Sequence, residues 1–320
     1  MKILVLGELH SEQLARVLSR RGHRVSAQKR VSHMLVTQAL ASQKPDLVVV
    51  ADDVRPESLK LLEAENYKHT GNSIWSVALR NEKYQESFLA MLETHGFATG
   101  KVENEEPLHI EGWWNGLDFT MMWMYEEARR LMNDGRGPEI ESAWTIGAPL
   151  GTGSKLAKET LLALREILTS VRHNGPVGLD VYMSDGKLRV GRVYAEIKYD
   201  FFYALAEIVL DLVALVSNEA VKPRRLHVGS VHVSLPPFPV LNNECAQVEG
   251  VCRENEGHVA FDAEQPALGA VTARGIDVVE TGRRIYRTLN HLGPADLQYR
   301  TDFGVGWTTR LKFLHSNGLL

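Results

Sequence analysis

The chain has 320 residues, of which 44% are hydrophobic, so it can bury a large core and is long enough for two or three compact units. Its formal net charge of -4 argues against a nucleic-acid partner, because proteins that bind phosphate backbones usually carry a basic face. The only two cysteines, Cys245 and Cys252, have neither zinc-site nor redox-motif spacing, which indicates free thiols in a reducing compartment.

The first hundred residues alternate strand and helix patterns. Apolar runs at residues 3–6 and 46–50 read as strands, with helical spacing between and after them. Asp52 and Asp53 come directly after the second run, at the carboxyl end of a predicted parallel strand, where ligands commonly bind. The pattern predicts a small doubly wound α/β domain over residues 1–100.

Nothing in the sequence predicts export or a membrane partner. The strand pattern begins at the first residues and leaves no room for a signal sequence, so we expect a cytoplasmic protein. Helical spacing occurs at residues 74–95, 156–171, 201–216 and 278–289. The third of these stretches is the most apolar, but two acidic residues interrupt it, so it predicts a buried helix and not a membrane span.

Residues 101–222 are predicted to form a second unit, which begins with an aromatic and methionine-rich strand. Phe119, Met121, Trp123 and Tyr125 alternate with period two along this strand. Such alternation places them on one face of a sheet. We interpret the stripe as core packing, with stacking against a ligand as the alternative.

A glycine-rich stretch at residues 147–154 precedes the helical pattern at 156–171. Gly147, Gly151 and Gly153 would let the backbone approach the phosphate of a cofactor where that helix begins. A plain turn between a strand and a helix is the alternative, since glycine is common in loops.

Residues 178–198 predict a β-hairpin with an Asp-Gly turn. Asp180 and Glu196 lie on its two arms between apolar neighbours, where paired carboxylates are suited to hold Mg²⁺ bound to nucleotide phosphates. Surface charges are the alternative. The rest of the chain, residues 223–320, contains two more strand patterns and the 278–289 helix, and predicts an α+β unit.

Taken in order, these segments resemble phosphoribosylamine-glycine ligase, also called glycinamide ribonucleotide synthetase, of the ATP-grasp superfamily. The collinear order over nearly the whole chain carries the resemblance, because no single motif is decisive. The similar segments are residues 71–73 (Phe-Gly-Pro-Ser in the family), 95–99 (His-Gly-Ile-Pro-Thr), 111–122 (Glu-Gly-Xaa-Glu-Phe-Ser), 178–198 (closing on Glu-Phe-Asn), 269–275 (Gly-Val-Thr-Ala) and 299–304 (Arg-Arg-Asp-Ile-Gly).

The resemblance implies a ligase that uses ATP and Mg²⁺ to join an amino acid such as glycine to a nucleotide-type substrate in purine metabolism. It implies that Asp180 and Glu196 bind the metal and that Lys83 contacts phosphate. The catalytic residues would be Asp180, Glu196, Lys198, Arg300 and Asp302.

Two departures from the family pattern weaken that expectation. Residues 100–110 stand where the family has a whole lobe that covers ATP, so the predicted ATP-grasp domain is incomplete. Lys198 stands at the position of a metal-binding asparagine, where its ammonium would repel Mg²⁺ and pair with Glu196. We therefore expect weak or no binding of ATP and Mg²⁺. An ATP-independent transferase acting on a pre-activated substrate, and a non-catalytic ligand binder or scaffold, are the alternatives.

A small-molecule pocket is expected where the three units meet, because each unit has polar residues near strand ends. These residues are Asp52, Asp53, Asp180, Glu196, Arg300 and Asp302. The pocket would take an amino acid or a ribose phosphate. A solvated salt-bridge network between the units is the alternative. The sequence leaves the oligomeric state open.

Overall fold

The computed structural model describes residues 1–7, 11–19, 22–29, 31–51, 54, 56–71, 73–103, 105–184, 187–239, 248–261 and 269–320. The strands in these ranges are β1 (Lys2–Leu6), β2 (Arg24–Gln28), β3 (Leu47–Val50), β4 (His69–Gly71), β5 (Ala98–Thr99), β6 (Leu108–Trp114), β7 (Phe119–Met132), β8 (Arg136–Pro149), β9 (Gly175–Ser184), β10 (Lys187–Tyr194), β11 (His227–Val233), β12 (Val259–Phe261) and β13 (Gly269–Gly275). The α-helices are α1 (Ser11–Ser19), α2 (His33–Gln43), α3 (Pro56–Ala64), α4 (Ile74–Leu79), α5 (Glu82–Thr94), α6 (Lys155–Glu159), α7 (Arg165–Ser170), α8 (Tyr199–Leu205), α9 (Leu212–Val216), α10 (Val278–Leu289) and α11 (Trp307–Ser316).

The amino-terminal strands form a small parallel sheet in the order β2-β1-β3-β4. Its central strands are apolar at every buried position because helices cover both faces: α1 packs on one, and α2 and α3 pack on the other. This arrangement confirms the predicted small doubly wound α/β unit.

The remaining nine strands form one sheet in the order β12-β13-β11-β8-β7-β6-β9-β10-β5. Every neighbouring pair is antiparallel except β5 and β10. The predicted boundaries at 100/101 and 222/223 both fall within this sheet, because β5 pairs with β10 and β11 pairs with β8.

The two faces of the large sheet pack against different helices. Trp123 and Tyr125 point to the face covered by α8, which we call the α8 face, and the ring centroid of Phe201 lies 4.4 Å from that of Tyr125. Met124 and Trp144 point to the opposite face, covered by α5, α10 and α11, which we call the α10 face. The predicted aromatic stripe is therefore buried core.

One residue of the predicted stripe does not follow the alternation. Phe119 packs on the α10 face, because the register between β6 and β7 shifts at Trp113 and Trp114. A bulge of this kind moves every residue beyond it to the other face of the sheet. The interpretation as core holds for Phe119 as well, since it packs edge-on against Trp114 at 5.2 Å.

Three of the four predicted helices are interrupted. Residues 74–95 divide at Asn81, whose side chain accepts a hydrogen bond from the Tyr84 N–H and starts α5. The apolar stretch at 201–216 divides in the same way at Asp211, which caps α9. Polar side chains that satisfy free backbone donors start a new helix even within an apolar pattern. In the ranges given above, no helix is both long and apolar enough to span a membrane.

The two hairpins of the large sheet differ in how well the sequence predicted them. Strands β9 and β10 pair antiparallel from Ser184 and Lys187 inward, which confirms the predicted hairpin, although its Asp-Gly turn lies outside the described residues. Strands β7 and β8 form a longer hairpin that the sequence reading did not predict, with its tip at residues 133–135.

Candidate functional site

A group of polar side chains is buried on the α8 face of the large sheet. It draws on β6, β7, β9 and the segment after β10, and the register explains its assembly: His109 of β6 lies opposite Tyr125 of β7 on one side and Asp180 of β9 on the other. We call this group the polar cluster. Its members are His109, Glu111, Tyr125, Glu127, Asp180, Tyr194, Glu196 and Lys198.

His109 is buried between two carboxylates. Its Nδ1 lies 2.9 Å from the Asp180 carboxylate and its Nε2 lies 3.6 Å from the Glu127 carboxylate. Burial by itself lowers the pKa of His109, but the hydrogen bond with Asp180 and the charges of Glu127 and Asp180 outweigh it, so the pKa is raised. Burial by itself raises the pKa of Asp180, but the hydrogen bond with His109 and its charge have the larger effect, so the pKa of Asp180 is lowered. The contact between the two groups therefore favours the charged form of each.

Glu111 lies in the centre of the cluster and has only hydroxyl and indole partners. It accepts hydrogen bonds from the Tyr125 hydroxyl at 2.6 Å and from the Trp123 indole N–H at 3.0 Å. Burial raises the pKa of Glu111 to about 7, although hydrogen bonds with the Tyr125 and Tyr194 hydroxyls oppose the change. The carboxyl group consequently titrates near neutral pH.

The segment after β10 forms the cationic end of the cluster. Lys198 Nζ lies 2.8 Å from Glu196 Oε1, which confirms the predicted pairing of these two residues. Arg80 and Arg192 each have a guanidinium nitrogen 3.8 Å from the same carboxylate. Burial by itself raises the pKa of Glu196. The positive charges of Lys198 and the two arginines have the larger effect, so the pKa is lowered. Three cations thus converge on one carboxylate, and two of them, Arg192 and Lys198, also interact with Asp180.

A further buried carboxyl, that of Asp200, interacts with Glu127 of the cluster. Asp200, in the first turn of α8, has its pKa raised to about 8 by burial and by the charges of Glu141 and Glu127. A half-exposed arginine, Arg129, lies 3.7 Å from Glu127 and only partly balances this group. An unbalanced group of carboxyls stabilises a bound cation such as an ammonium.

Asp180 and Glu196, the predicted metal ligands, do not fit a Mg²⁺ site in this arrangement. Each carboxylate is already in contact with a cation, His109 or Lys198, whereas Mg²⁺ needs free oxygen ligands in octahedral geometry. Over the described part of the chain, no group of three or more His, Cys, Asp or Glu side chains could hold a metal ion.

Arg300 and Asp302 lie on the other face of the sheet from the polar cluster. Arg300 donates to both oxygens of Asp302, at 2.7 and 2.5 Å, and to the Arg130 carbonyl at 3.0 Å, and its guanidinium lies 5.8 Å from the Trp144 ring centroid. Asp302 also accepts from the Asp134 N–H at the tip of the β7–β8 hairpin. The structure therefore does not bring these two residues together with Asp180 and Glu196, and their contacts hold the hairpin in place.

The predicted cofactor-binding residues are spread over three places. Lys83 is exposed on α5. Gly147 lies in β8, where an added Cβ would be 2.6 Å from the Phe201 ring, so close packing explains this glycine. Gly151 and Gly153 are exposed before α6 and line a cavity of about 1300 Å³ that is separate from the polar cluster. Asp52 and Asp53 lie outside the described residues.

Sequence reasoning missed the central residues of the cluster. His109 and Glu111 are polar residues at alternate positions of an otherwise apolar strand, which places both on the same face of a sheet. Because a buried charge is costly without a partner, this pattern is itself a signal of a polar network. Their partner Asp180 is 71 residues away from His109, and only the strand order reveals the pair.

The segment between β5 and β6 is short. It consists of residues 100–107, and the part of it that the structure describes contains no helix or strand. The chain thus passes directly from the edge of the large sheet to its centre, at the point where the family that the sequence resembles has its ATP-covering lobe.

Comparisons with known proteins show the fold. No protein-family model matches the sequence, and no curated protein matches it. Phosphoribosylamine–glycine ligase from Thermotoga maritima aligns with a TM-score of 0.63 and 13% identity, over 94% of this chain and 100% of that one. Phosphoribosylglycinamide synthetase from Anaerococcus prevotii has a TM-score of 0.63 and 8% identity, over 91% of this chain and 98% of that one.

N5-carboxyaminoimidazole ribonucleotide synthetase from Thermus thermophilus aligns with a TM-score of 0.60 and 11% identity, over 90% of this chain and 98% of that one. Identities this low are evidence of a shared fold and carry no information about substrate. The chain has the α/β fold of glycinamide ribonucleotide synthetase and other ATP-grasp enzymes.

Proposed function

We propose that the chain binds a small zwitterion, an amino acid or an amine that carries a phosphate, at the polar cluster, and that it does so without Mg²⁺ and ATP. It would act on a substrate activated elsewhere, as an ATP-independent transferase, or present the ligand without chemistry. The observation that carries this proposal is the pairing of Lys198 with Glu196 at 2.8 Å, at a position that the sequence resemblance assigns to a metal-binding asparagine.

The charge distribution of the cluster supports a ligand with two opposite charges. Arg80, Arg192 and Lys198 converge on the Glu196 carboxylate, and such a group of cations favours a carboxylate or phosphate. Burial and the charges of Glu141 and Glu127 raise the pKa of Asp200 to about 8, so a bound ammonium beside this carboxyl would favour its ionised form. A zwitterion could therefore direct its anionic group to the three cations and its ammonium to the carboxyls of the cluster.

Fixed charges also position a reactant, which is what a transferase requires. Cationic and carboxyl groups that contact opposite charges of a small molecule hold it in one orientation. Orientation alone contributes much of the rate of a transfer between bound partners. No charge stabilisation of a transferring phosphoryl group is needed when the substrate arrives activated.

Isothermal titration calorimetry with charge-matched ligands tests the proposal. Glycine should bind in the absence of Mg²⁺, whereas acetate and glycinamide, which each carry one of its two charges, should bind at least about tenfold more weakly. Replacing Arg192 by Gln should weaken glycine binding, and replacing Arg283 by Gln, which is 77% exposed on α10, should not. Equal binding of glycine, acetate and glycinamide would exclude zwitterion recognition.

The second candidate is a ligase of the ATP-dependent kind. It is favoured by the likeness of the fold to solved structures titled phosphoribosylamine–glycine ligase and phosphoribosylglycinamide synthetase. This candidate requires Mg²⁺-dependent ATP binding. Micromolar binding of ATP in the presence of Mg²⁺, abolished by EDTA, would establish it and refute the first proposal.

A further inference from the structure

We propose that a second cavity, separate from the polar cluster, binds an organic phosphate: a phosphate ester attached to an aromatic or apolar group. The cavity lies beside the beginning of β7, around Thr120. Glu127 of the polar cluster is seven residues farther along the same strand, which at about 3.3 Å per residue corresponds to roughly 20 Å. The two sites therefore do not overlap.

The cavity exists because β7 and β8 separate at this end of the sheet. Their last cross-strand pair joins Trp123 to Pro149, and the Leu150 N–H then donates to the Met122 carbonyl at 2.9 Å. Beyond this point the chain leaves the sheet through the glycine loop and enters α6. The segment that precedes β11 forms the facing wall, and the carboxyl-terminal helix α11 closes one side. The open cavity has a volume of about 1300 Å³, which exceeds that of typical small-molecule sites, about 300–1000 Å³.

Positive charge converges on this cavity from two walls. Lys155 and Lys158 are on α6, and Lys222 and Arg225 are on the segment before β11. The side chain of Glu159 also lines the cavity, and its carboxylate is 3.6 Å from Lys155. Among the residues that the structure describes, no carboxylate is within ion-pair distance of the other three cations.

This concentration of positive charge stands out because the whole chain has a net charge of -4. Unpaired like charges on facing walls repel each other, and an anion bound between them adds an attraction to each cation that offsets this repulsion. A phosphate monoester carries between one and two negative charges near neutral pH and several acceptor oxygens, so it can contact cations from both walls at once.

The inner surface of the cavity is apolar. Met122, Met124 and Leu150 line it and are 3–5% exposed. Methionine side chains adapt to irregular shapes and make favourable contacts with aromatic rings. A cationic rim above an apolar surface matches a ligand with a phosphate at one end and a ring or alkyl group at the other. Gly151 and Gly153 border the rim with open space around them, so their backbone is accessible to such a ligand.

The test uses the full chain, without Mg²⁺, and AMP as the probe, with its two parts, adenosine and inorganic phosphate, as separate titrants. AMP should bind saturably and at least about tenfold more tightly than either part. The double variant Lys158→Glu, Arg225→Glu should lose at least about tenfold in AMP affinity, because it removes two charge-assisted contacts. The double variant Lys60→Glu, Arg283→Glu makes the same charge change at exposed helix positions and should bind AMP as the wild type does.

Three outcomes would overturn the inference: no saturable AMP binding, an equal loss in both double variants, or inorganic phosphate binding as tightly as AMP. The test of this cavity is independent of the test of glycine binding at the polar cluster. The cavity variant should keep glycine binding, and the Arg192→Gln variant should keep AMP binding, so either site can fail while the other stands. Circular dichroism of each variant shows whether it is folded.

Discussion

The ammonium of Lys198 and the carboxylate of Glu196 are in contact at 2.8 Å, immediately before α8 begins. This contact determines the charge that the end of the polar cluster presents to a ligand. With Lys198 in place, the end repels Mg²⁺ and attracts anions. With a neutral residue there, Glu196 would face only the two more distant arginines.

Replacing Lys198 by Asn should raise the affinity for Mg²⁺ by at least about tenfold, because removing a unit charge so close to a ligand oxygen changes its Coulomb energy by a few kcal/mol. Calorimetric titration with MgCl₂ measures the change. Lys83→Asn, at an exposed position on α5, is the matched control and should leave Mg²⁺ affinity unchanged. Equal Mg²⁺ affinities of wild type and Lys198→Asn would show that the ion pair does not exclude the metal.

Replacing Arg300 by Ala should lower the free energy of unfolding by about 3–5 kcal/mol, because Arg300 is 5% exposed and Asp302 would lose its bidentate partner. Glycine affinity of the folded variant should stay within about twofold of the wild type, since Arg300 lies on the opposite face from the polar cluster. Urea unfolding and calorimetry provide the two measurements. Arg283→Ala, at a 77% exposed position, should cost less than about 0.5 kcal/mol.

A different pattern would restore a binding role for Arg300. If Arg300→Ala kept its stability and lost glycine binding, the residue would belong to the ligand site, as the sequence resemblance implies. The variant Arg300→Lys separates charge from geometry: it keeps the positive charge but cannot reproduce the planar bidentate contact, so an intermediate loss of stability is expected.

Local patterns were sufficient to predict several individual elements of the fold. The apolar runs of β1 and β3, the β9–β10 hairpin and the α10 helix all follow from spacing within a short window, and α10 has the predicted bounds of residues 278–289. The helix breaks at Asn81 and Asp211 were missed, because each depends on one side chain that hydrogen-bonds to a nearby backbone N–H.

The site was harder to predict than the fold. Asp180, Glu196 and Lys198 were identified, but the function of a carboxylate depends on its neighbours, and His109 comes next to Asp180 only through the order of β6 and β9 in the sheet. Arg300 and Asp302 illustrate the opposite case. They are polar residues close to each other in the sequence, and they satisfy each other.

His109→Gln should destabilise the protein most in mildly acidic solution. The folded-state pKa of His109 is raised above its usual value of 6.5, so its stabilising effect is complete below pH 6.5 and is lost as the pH rises through the folded value. The pKa of Asp180 is lowered below 3.8, so its effect is complete above pH 3.8 and is lost at lower pH. The difference in unfolding free energy between wild type and variant should therefore be largest between these two values.

Urea unfolding at pH 5 and pH 8.5 measures this difference for wild type and His109→Gln. The gap should be larger at pH 5, where His109 is an imidazolium between Asp180 and Glu127. A gap that is the same at both pH values, or larger at pH 8.5, would mean that His109 is neutral in the folded protein.

Glu111→Gln should remove a loss of stability that the wild type shows on going from acidic to neutral pH. Burial raises the folded-state pKa of Glu111 from 4.5 to about 7, so between these values the folded protein keeps a proton that the unfolded chain has released. The stabilisation is complete below pH 4.5 and is lost as the pH rises to about 7. At about 1.4 kcal/mol per unit, the loss is on the order of 3 kcal/mol.

Glutamine cannot ionise, so the stability of Glu111→Gln relative to wild type should rise through this interval and level off above pH 7. Its amide also disturbs the hydrogen bond from Trp123 or Tyr125, which adds a cost of about 1 kcal/mol that does not depend on pH. The slope of the difference with pH is therefore the measurement that matters, from urea unfolding at half-unit steps between pH 4.5 and pH 8. Tyr125→Phe provides a second test, because losing a donor to the carboxylate raises the pKa of Glu111 further and moves the fall in stability to higher pH. A flat difference for Glu111→Gln over the whole range would mean that the Tyr125 and Trp123 donors outweigh burial and keep Glu111 ionised.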